Sequence, residues 1–304
     1  MSSEYEKFEG YVPGDGNPLW GQSYYFNFYD PKTRVGAFVR VGLLENQNEA
    51  NNWFVVFKDG LPVFNRNNLS LPYTKGRPDT GLELAGLRIE AVVPLKKTRI
   101  TFSSSDFQAD FLWDELHPVE DCIAKSHDED GSFAREMCHI HLEGISRVSG
   151  HIVCRGERID VAGSGFHDIA AGPRNWDALL HYVLAWPVFE NGMAFAGVHG
   201  ISTKRKSAYM KMFNDGTRWL GVKSIEDTQV TGDDGLTIVS AKWSFVDELD
   251  RKFEFTAKPV FRTFFPADTF ILCDQLMEFR LGDGTVGYGL YENGYRLPWS
   301  GIGG

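Results

Sequence analysis

Residues 163 to 176 read Gly-Ser-Gly-Phe-His-Asp-Ile-Ala-Ala-Gly-Pro-Arg-Asn-Trp. This short segment gathers an imidazole (His167), a carboxyl (Asp168), a fixed cation (Arg174) and an indole (Trp176). Imidazole is the side chain most ready to exchange protons near neutral pH. A carboxyl held in a dry pocket keeps its proton to higher pH and becomes a general acid. Arg174 can orient a polar group of a substrate or pair with Asp168 across a turn. The flanking glycines allow sharp turning here. If the segment is instead a strand, His167 and Asp168 point to opposite faces, one towards a cavity and the other towards a seam between barrels.

Asp168 and Glu292 are both candidates for such an acid. Aromatic faces stabilise a cation. Tyr25, Trp53, Trp176, Trp186 and Tyr291 can supply them, with His199 and Glu292 completing a candidate substrate-binding set, although these aromatics equally suit barrel core. His139-x-His141 has the same-face spacing of a metal pair on a strand. A third ligand is not obvious nearby, although His151 or His167 could be one, and no metal or other cofactor is expected. No Gly-rich phosphate loop with a downstream Lys-Ser/Thr occurs, and no Gly-x-Ser-x-Gly elbow.

The elements that must position these groups are strands. Ser23 to Tyr29 and Val35 to Val41 flank the turn signal Asp30-Pro31 and read as a hairpin. Asn52 to Phe57, Leu87 to Val92 and Arg99 to Phe102 continue the pattern, and Phe107 to Trp113 alternates cleanly. After the central segment, short strand-like runs lie between Asn191-Gly192, Asn214-Asp215-Gly216, Asp233-Asp234-Gly235 and Gly282-Asp283-Gly284. Helices are expected only near Glu45 to Asn51 and Trp176 to Tyr182. Strands about 8–12 residues apart with such turns indicate sandwiches or barrels. The 304 residues suit two of them.

Composition agrees. Aromatics make up 14% of the chain, with 23 Phe, 11 Tyr and 8 Trp, which suits strands and apolar cavity walls. The formal net charge of −10 argues against nucleic acid, which needs a basic patch. The basic run Thr203-Lys204-Arg205-Lys206 reads as a solvated turn. Cys122, Cys138, Cys154 and Cys273 form no Cys-x-x-Cys pair and read as reduced thiols. The opening Met-Ser-Ser-Glu-Tyr-Glu-Lys lacks an apolar stretch, and no run approaches the ~20 residues of a membrane span. A cytoplasmic protein is therefore expected. A homodimer is one option for its assembly.

Several segments resemble a known family when taken in order. They are Trp20 to Phe26, then Glu143 to Gly150 leading into Gly156-Glu157-Arg158, then the central segment, then Gly287 to Arg296. The order resembles the superfamily of AttH-like proteins and carotenoid 1,2-hydratases (hydroxyneurosporene synthases), in its uncharacterised bacterial branch. The resemblance implies an all-β chain of two tandem lipocalin-like antiparallel β-barrels, residues 1–165 and 166–304. It also implies a cofactor-independent hydratase, isomerase or cyclase acting on a hydrophobic, terpenoid or polyene-like olefin. Asp168, His167 and Arg174 would then be its catalytic residues.

The family's central segment commonly reads Gly-x-Gly-x-Arg-Asp-His-Ser-Trp-Gly-x-Arg-Asp-Trp. In this chain His167 stands in the first Arg place and Asp168 is kept. Ile169, Ala170 and Ala171 replace His-Ser-Trp, Arg174 and Trp176 are kept, and Asn175 replaces the second Asp. Either His167 supplies the imidazole from a shifted position, or the chain is a lipocalin-like carrier that binds an apolar small molecule unchanged.

Overall fold

Alternation of buried and less buried side chains marks Leu87–Val93, Lys97–Ser103, Phe107–Glu115 and Ile238–Asp247, which lay one face on a core, whereas Trp20–Asp30 is buried throughout. The computed structural model describes residues 5–10, 12, 16–73, 76–126, 134–267 and 269–297. The first four residues of the N-terminal segment considered above lie outside them. Two units emerge: Met1–Glu120 with Cys138–Arg174, and Asp121–Met137 with Asn175–Gly304. The expected boundary at 165/166 falls inside a strand that runs to Pro173.

Unit 1 is built on β1 (Trp20–Asp30), β2 (Val35–Leu44), β3 (Glu49–Lys58), β4 (Leu61–Pro72), β5 (Leu82–Leu84), β6 (Leu87–Val93), β7 (Lys97–Ser103), β8 (Phe107–Glu115), β10 (Ile140–Cys154) and β11 (Glu157–Pro173). Their order in the sheet is β4-β3-β2-β1-β11-β10-β8-β7-β6-β5, and the short β9 (Glu120–Asp121) pairs with β10. A closed barrel was expected, but β4 and β5 are not joined by a backbone ladder. Side chains span that seam instead. Asn52 Nδ2 donates to the Leu84 carbonyl at 2.8 Å, and Arg66 Nη1 donates to the Ala85 carbonyl at 3.2 Å. Behind them Phe64 stacks on Phe107 at 4.3 Å. A three-residue β5 offers too little edge to close a ladder. The concave face carries the apolar core, in which Trp113 meets Phe26, Phe28 and Phe111 edge-on.

The central glycines do not turn the chain. They lie within β11, which pairs with β1 on one side and β10 on the other. Their absent side chains permit close approach: a Cβ on Gly165 would lie 2.0 Å from the Asn27 carbonyl oxygen. Gly172 has φ +145°, and a Cβ there would meet the His139 nitrogen at 2.3 Å.

Unit 2 is a closed antiparallel barrel of β12 (Leu179–Phe189), β13 (Ala194–Ser202), β14 (Ser207–Asn214), β15 (Trp219–Thr231), β16 (Ile238–Asp247), β17 (Lys252–Ala267), β18 (Phe270–Leu281) and β19 (Val286–Arg296). Closure removes the open edges that invite aggregation. Its lumen is filled at one end by Phe195, Phe213, Phe245 and Phe255 around Trp243. The expected helices shrink to 3-10 turns at Glu45–Gln47 and Trp176–Ala178, because strands begin at Glu49 and Leu179. The chain is thus all-β, with tandem lipocalin-like units. No helix among the described residues is long and apolar enough to cross a membrane.

Candidate active site

The backbone register of unit 1 aligns five side chains in one row. Trp53 on β3 is opposite Arg40 on β2, Arg40 is opposite Tyr25 on β1, Tyr25 is opposite Asp168 on β11, and Asp168 is opposite Glu143 on β10. Directly paired residues share a face, so the row crosses five strands on one side of the sheet. That side is opposite the apolar core, which takes the alternate residues Phe26, Val39, Phe54, Leu142 and Ile169. His141, two residues before Glu143, joins the row's face and lies opposite the small Ala170.

The cluster is dry and charged. Glu143 is 0% exposed and Asp168 and His141 are each 7% exposed. His141 Nδ1 is 2.9 Å from Glu143 Oε1, and its Nε2 is 3.6 Å from Asp168 Oδ2. Glu143 Oε2 and Asp168 Oδ1 have no hydrogen-bond partner among the described residues. Burial drives the Glu143 carboxyl up, and the pull of His141 only partly offsets it, leaving it at about 8. Burial also raises Asp168, against the opposing charges of His141, Arg174, His167 and Arg40. For His141, burial works against the imidazolium, but Asp168 and Glu143 overcome it and hold the ring at about 9. The three groups therefore retain protons that ordinary carboxyl and imidazole groups would release. Arg40 lies over the Trp53 ring at 4.3 Å and donates to Asn51 Oδ1 at 2.6 Å.

His167 turns the other way, as the two-residue period of a strand predicts. It enters the concave interior, stacked on Phe26 at 4.5 Å with its Nδ1 3.3 Å from Glu115 Oε1. Ser146 donates to that same Glu115 oxygen at 2.6 Å, and the buried Glu9 accepts from the Leu95 amide at 2.9 Å. Burial opposes charge on His167, yet Glu115, Glu9 and Asp168 raise its pKa. His167 and Asp168 thus belong to two clusters, back to back across β11.

Among the expected site residues, the structure brings Asp168, Tyr25 and Trp53 into one row and sets Arg174 where its charge acts on both Asp168 and His141. Trp176, Trp186, His199, Tyr291 and Glu292 belong to unit 2. There Trp176 packs on Phe270 at 5.4 Å, Trp186 is buried opposite Leu290, and the Tyr182 hydroxyl donates to Glu292. Tyr291 is a lumen residue that receives the Trp243 indole N–H at 3.3 Å and donates to Gln229 at 3.1 Å. His139 is drawn away from any pairing with His141 as metal ligands, its ring meeting Trp20 edge-on at 5.4 Å. The group that could hold a cation is instead His141, Glu143 and Asp168, whose donor atoms lie within 4.8 Å of one another.

Glu143 is the functional candidate that sequence reasoning missed, and His141 entered only through its spacing from His139. The available signal was period two: His141 and Glu143 share a face, and both fall in a segment otherwise rich in apolar residues.

Fold and site together define a tandem lipocalin-like protein with a buried acid/base cluster on unit 1. The chain belongs to the family described as a domain of unknown function, DUF7064, which matches residues 11–295. No curated protein matches its sequence. Among solved structures it is similar to an AttH-type protein from Nitrosomonas europaea, with 12% identity, TM-score 0.68 and 96% of each chain covered. It is similar to CghA in complex with Sch210972, with 10% identity, TM-score 0.66, and 95% of this chain and 94% of that chain covered. It is also similar to kievitone hydratase from Nectria haematococca, with 11% identity, TM-score 0.59 and 93% of each chain covered. The AttH-like resemblance read from the sequence is borne out in the fold.

Proposed function

We propose that the protein is a cofactor-independent hydratase, isomerase or cyclase that works by acid/base chemistry on a hydrophobic, terpenoid or polyene-like olefin. The observation that carries this reading is the buried Glu143–His141–Asp168 cluster, with a carboxyl held at about 8 and carboxyl oxygens that lack hydrogen-bond partners. A carboxyl at about 8 is largely protonated at neutral pH and well matched to general acid work. The name of the similar kievitone hydratase supports the same class of reaction.

The Glu143 O–H gives its proton to one olefin carbon, and the π pair becomes the new C–H bond. The cation left on the neighbouring carbon is stabilised by the faces of Tyr25 and Trp53 and by the Asp168 carboxyl oxygens. In hydration, water adds to that carbon and loses a proton to the cluster. In isomerisation, an adjacent C–H loses the proton instead. Either way the cluster ends as it began, so the cycle balances without an electron carrier. Arg174 and Arg40, whose charges act on Asp168, orient a polar substrate group.

The deciding experiment incubates the protein with candidate olefins in D₂O and follows them by mass spectrometry. Deuterium on carbon in a product supports the acid role. A ligand that is bound tightly and recovered unchanged and unlabelled would establish the carrier reading instead.

A further inference from the structure

The lumen of the unit 2 barrel holds a second set of reactive side chains. β13 and β14 are joined through the exposed turn at Thr203 to Lys206. His199 on β13 is opposite Tyr209 on β14, and their rings stack at 4.1 Å. His199 Nδ1 lies 2.9 Å from Asp227 Oδ1 on β15, and His199 Nε2 lies 2.8 Å from Ser207 Oγ at the start of β14. The Tyr209 hydroxyl donates to the same Asp227 oxygen at 2.7 Å. The Asp227 side chain is 7% exposed and that of His199 20%, whereas Ser207 is open to solvent.

This geometry fixes the tautomer. Burial opposes ionisation of Asp227, but the hydrogen bonds from His199 and Tyr209 outweigh it and keep the carboxyl below its ordinary range. An ionised carboxylate only accepts, so His199 Nδ1 carries the proton. In the neutral ring the Nε2 lone pair then faces the Ser207 hydroxyl. That is the alignment in which an imidazole takes a hydroxyl proton as the oxygen attacks.

The backbone adds a donor. Ser202 N bonds the Lys206 carbonyl at 2.9 Å, which makes the even-numbered residues of β14 the ones bonded to β13. The Ser207 N–H therefore points away from β13. On that side β14 pairs with β15 only over Met212 to Asn214 among the described residues, and Lys211 N turns to Ser126 Oγ at 3.1 Å. Ser207 N–H thus lies outside the ladders that β14 forms with β13 and β15 among the described residues, and it can stabilise an oxyanion formed at its own side chain.

We propose that Ser207, His199 and Asp227 form a nucleophilic site for small carboxylic esters. Ser207 Oγ bonds to the ester carbonyl carbon as its proton passes to His199 Nε2. That proton then goes to the departing alcohol oxygen as the ester C–O bond breaks. Water attacks the acyl-serine, gives one proton to His199, and releases the carboxylic acid as Ser207 Oγ recovers that proton.

The test exposes the folded full-length chain to a fluorophosphonate, which forms an O–P bond to an activated serine and releases fluoride. Peptide mapping should place one adduct on Ser207. Labelling should vanish in Ser207→Ala, whose exposed position leaves the melting temperature unchanged. It should slow on the order of 100-fold in His199→Ala and Asp227→Asn, and it should be absent from heat-unfolded chain. An unlabelled Ser207, or one labelled as fast in folded His199→Ala as in the parent, overturns the proposal.

Discussion

Glu143 on β10 stands directly opposite Asp168 on β11, so two buried carboxyls share one rung of the sheet. Like charges in that position repel, and the pair avoids repulsion because Glu143 keeps its proton. Folding raises Glu143 to about 8, His141 to about 9, and Asp168 above its ordinary value. A group whose pKa is raised on folding contributes stability that is present below its unfolded value and lost as pH rises through the folded value. All three act in the same direction. The melting temperature should therefore fall by several degrees from pH 6 to pH 9, and Glu143→Gln should reduce that slope. Thermal melts across this range decide it, and a melting temperature that is flat or climbs would sink the account.

If Glu143 is the acid and Asp168 its partner, Glu143→Gln and Asp168→Asn should each cost roughly 10²–10⁴-fold in turnover on an olefin that the protein converts. His167→Ala acts in the other cluster. It leaves the buried Glu115 carboxyl without its imidazole partner, so its main effect should be on stability. Comparing kcat with melting temperature for the three variants separates the roles. Loss of turnover in His167→Ala at unchanged stability would return catalysis to His167.

Much of this was legible from periodicity. Phe107 to Trp113 alternates because one side of β8 lies on the core, and the split of His167 from Asp168 follows from period two alone. β4 gave no such signal, because most of its residues are exposed and Asn and Arg interrupt any apolar rhythm. The openness of unit 1 depends on whether β4 and β5 find each other, a long-range matter invisible in either segment. Glu143 was hidden for the same reason. Only the register that sets it against Asp168, and the burial of that face, distinguish it from an ordinary strand glutamate.

The central glycines lie in strand and not in a turn, and Gly165 sits mid-strand against Asn27. A methyl group there would meet a carbonyl oxygen at 2.0 Å, backbone that cannot swing aside as a flexible side chain would. Gly165→Ala should force β1 and β11 apart and destabilise unit 1 by about 3 kcal/mol or more. Because β11 carries both His167 and Asp168, the same variant should perturb both clusters. Chemical denaturation, with the His167 and His141 imidazole resonances as local reporters, checks it; parent-like stability would show that the contact relaxes at little cost.

Arg174 opposes protonation of Asp168 and of His141 alike. Replacing it by methionine keeps length and removes charge, so both groups should hold their protons to higher pH. The basic limb of the pH–rate profile, and the His141 titration followed by NMR, should move upward. A downward movement or none would mean that Arg174 is too well solvated to act on the cluster.

His141, Glu143 and Asp168 could also converge on a divalent cation, since their donor atoms lie within 4.8 Å of one another. Protons and a cation compete for the same lone pairs, because metal ligands must be deprotonated to bind. With Glu143 at about 8 and His141 at about 9, protons hold the site at pH 7. Calorimetric titration with Zn²⁺ should therefore show weak binding at pH 7 that tightens towards pH 9, and dialysis against EDTA should leave turnover unchanged. Tight stoichiometric binding at pH 7, with activity lost to EDTA and restored by the metal, would replace the acid role of Glu143 with that of a ligand. Glu143→Gln distinguishes the two further: it abolishes proton donation, but its amide oxygen keeps part of the cation affinity.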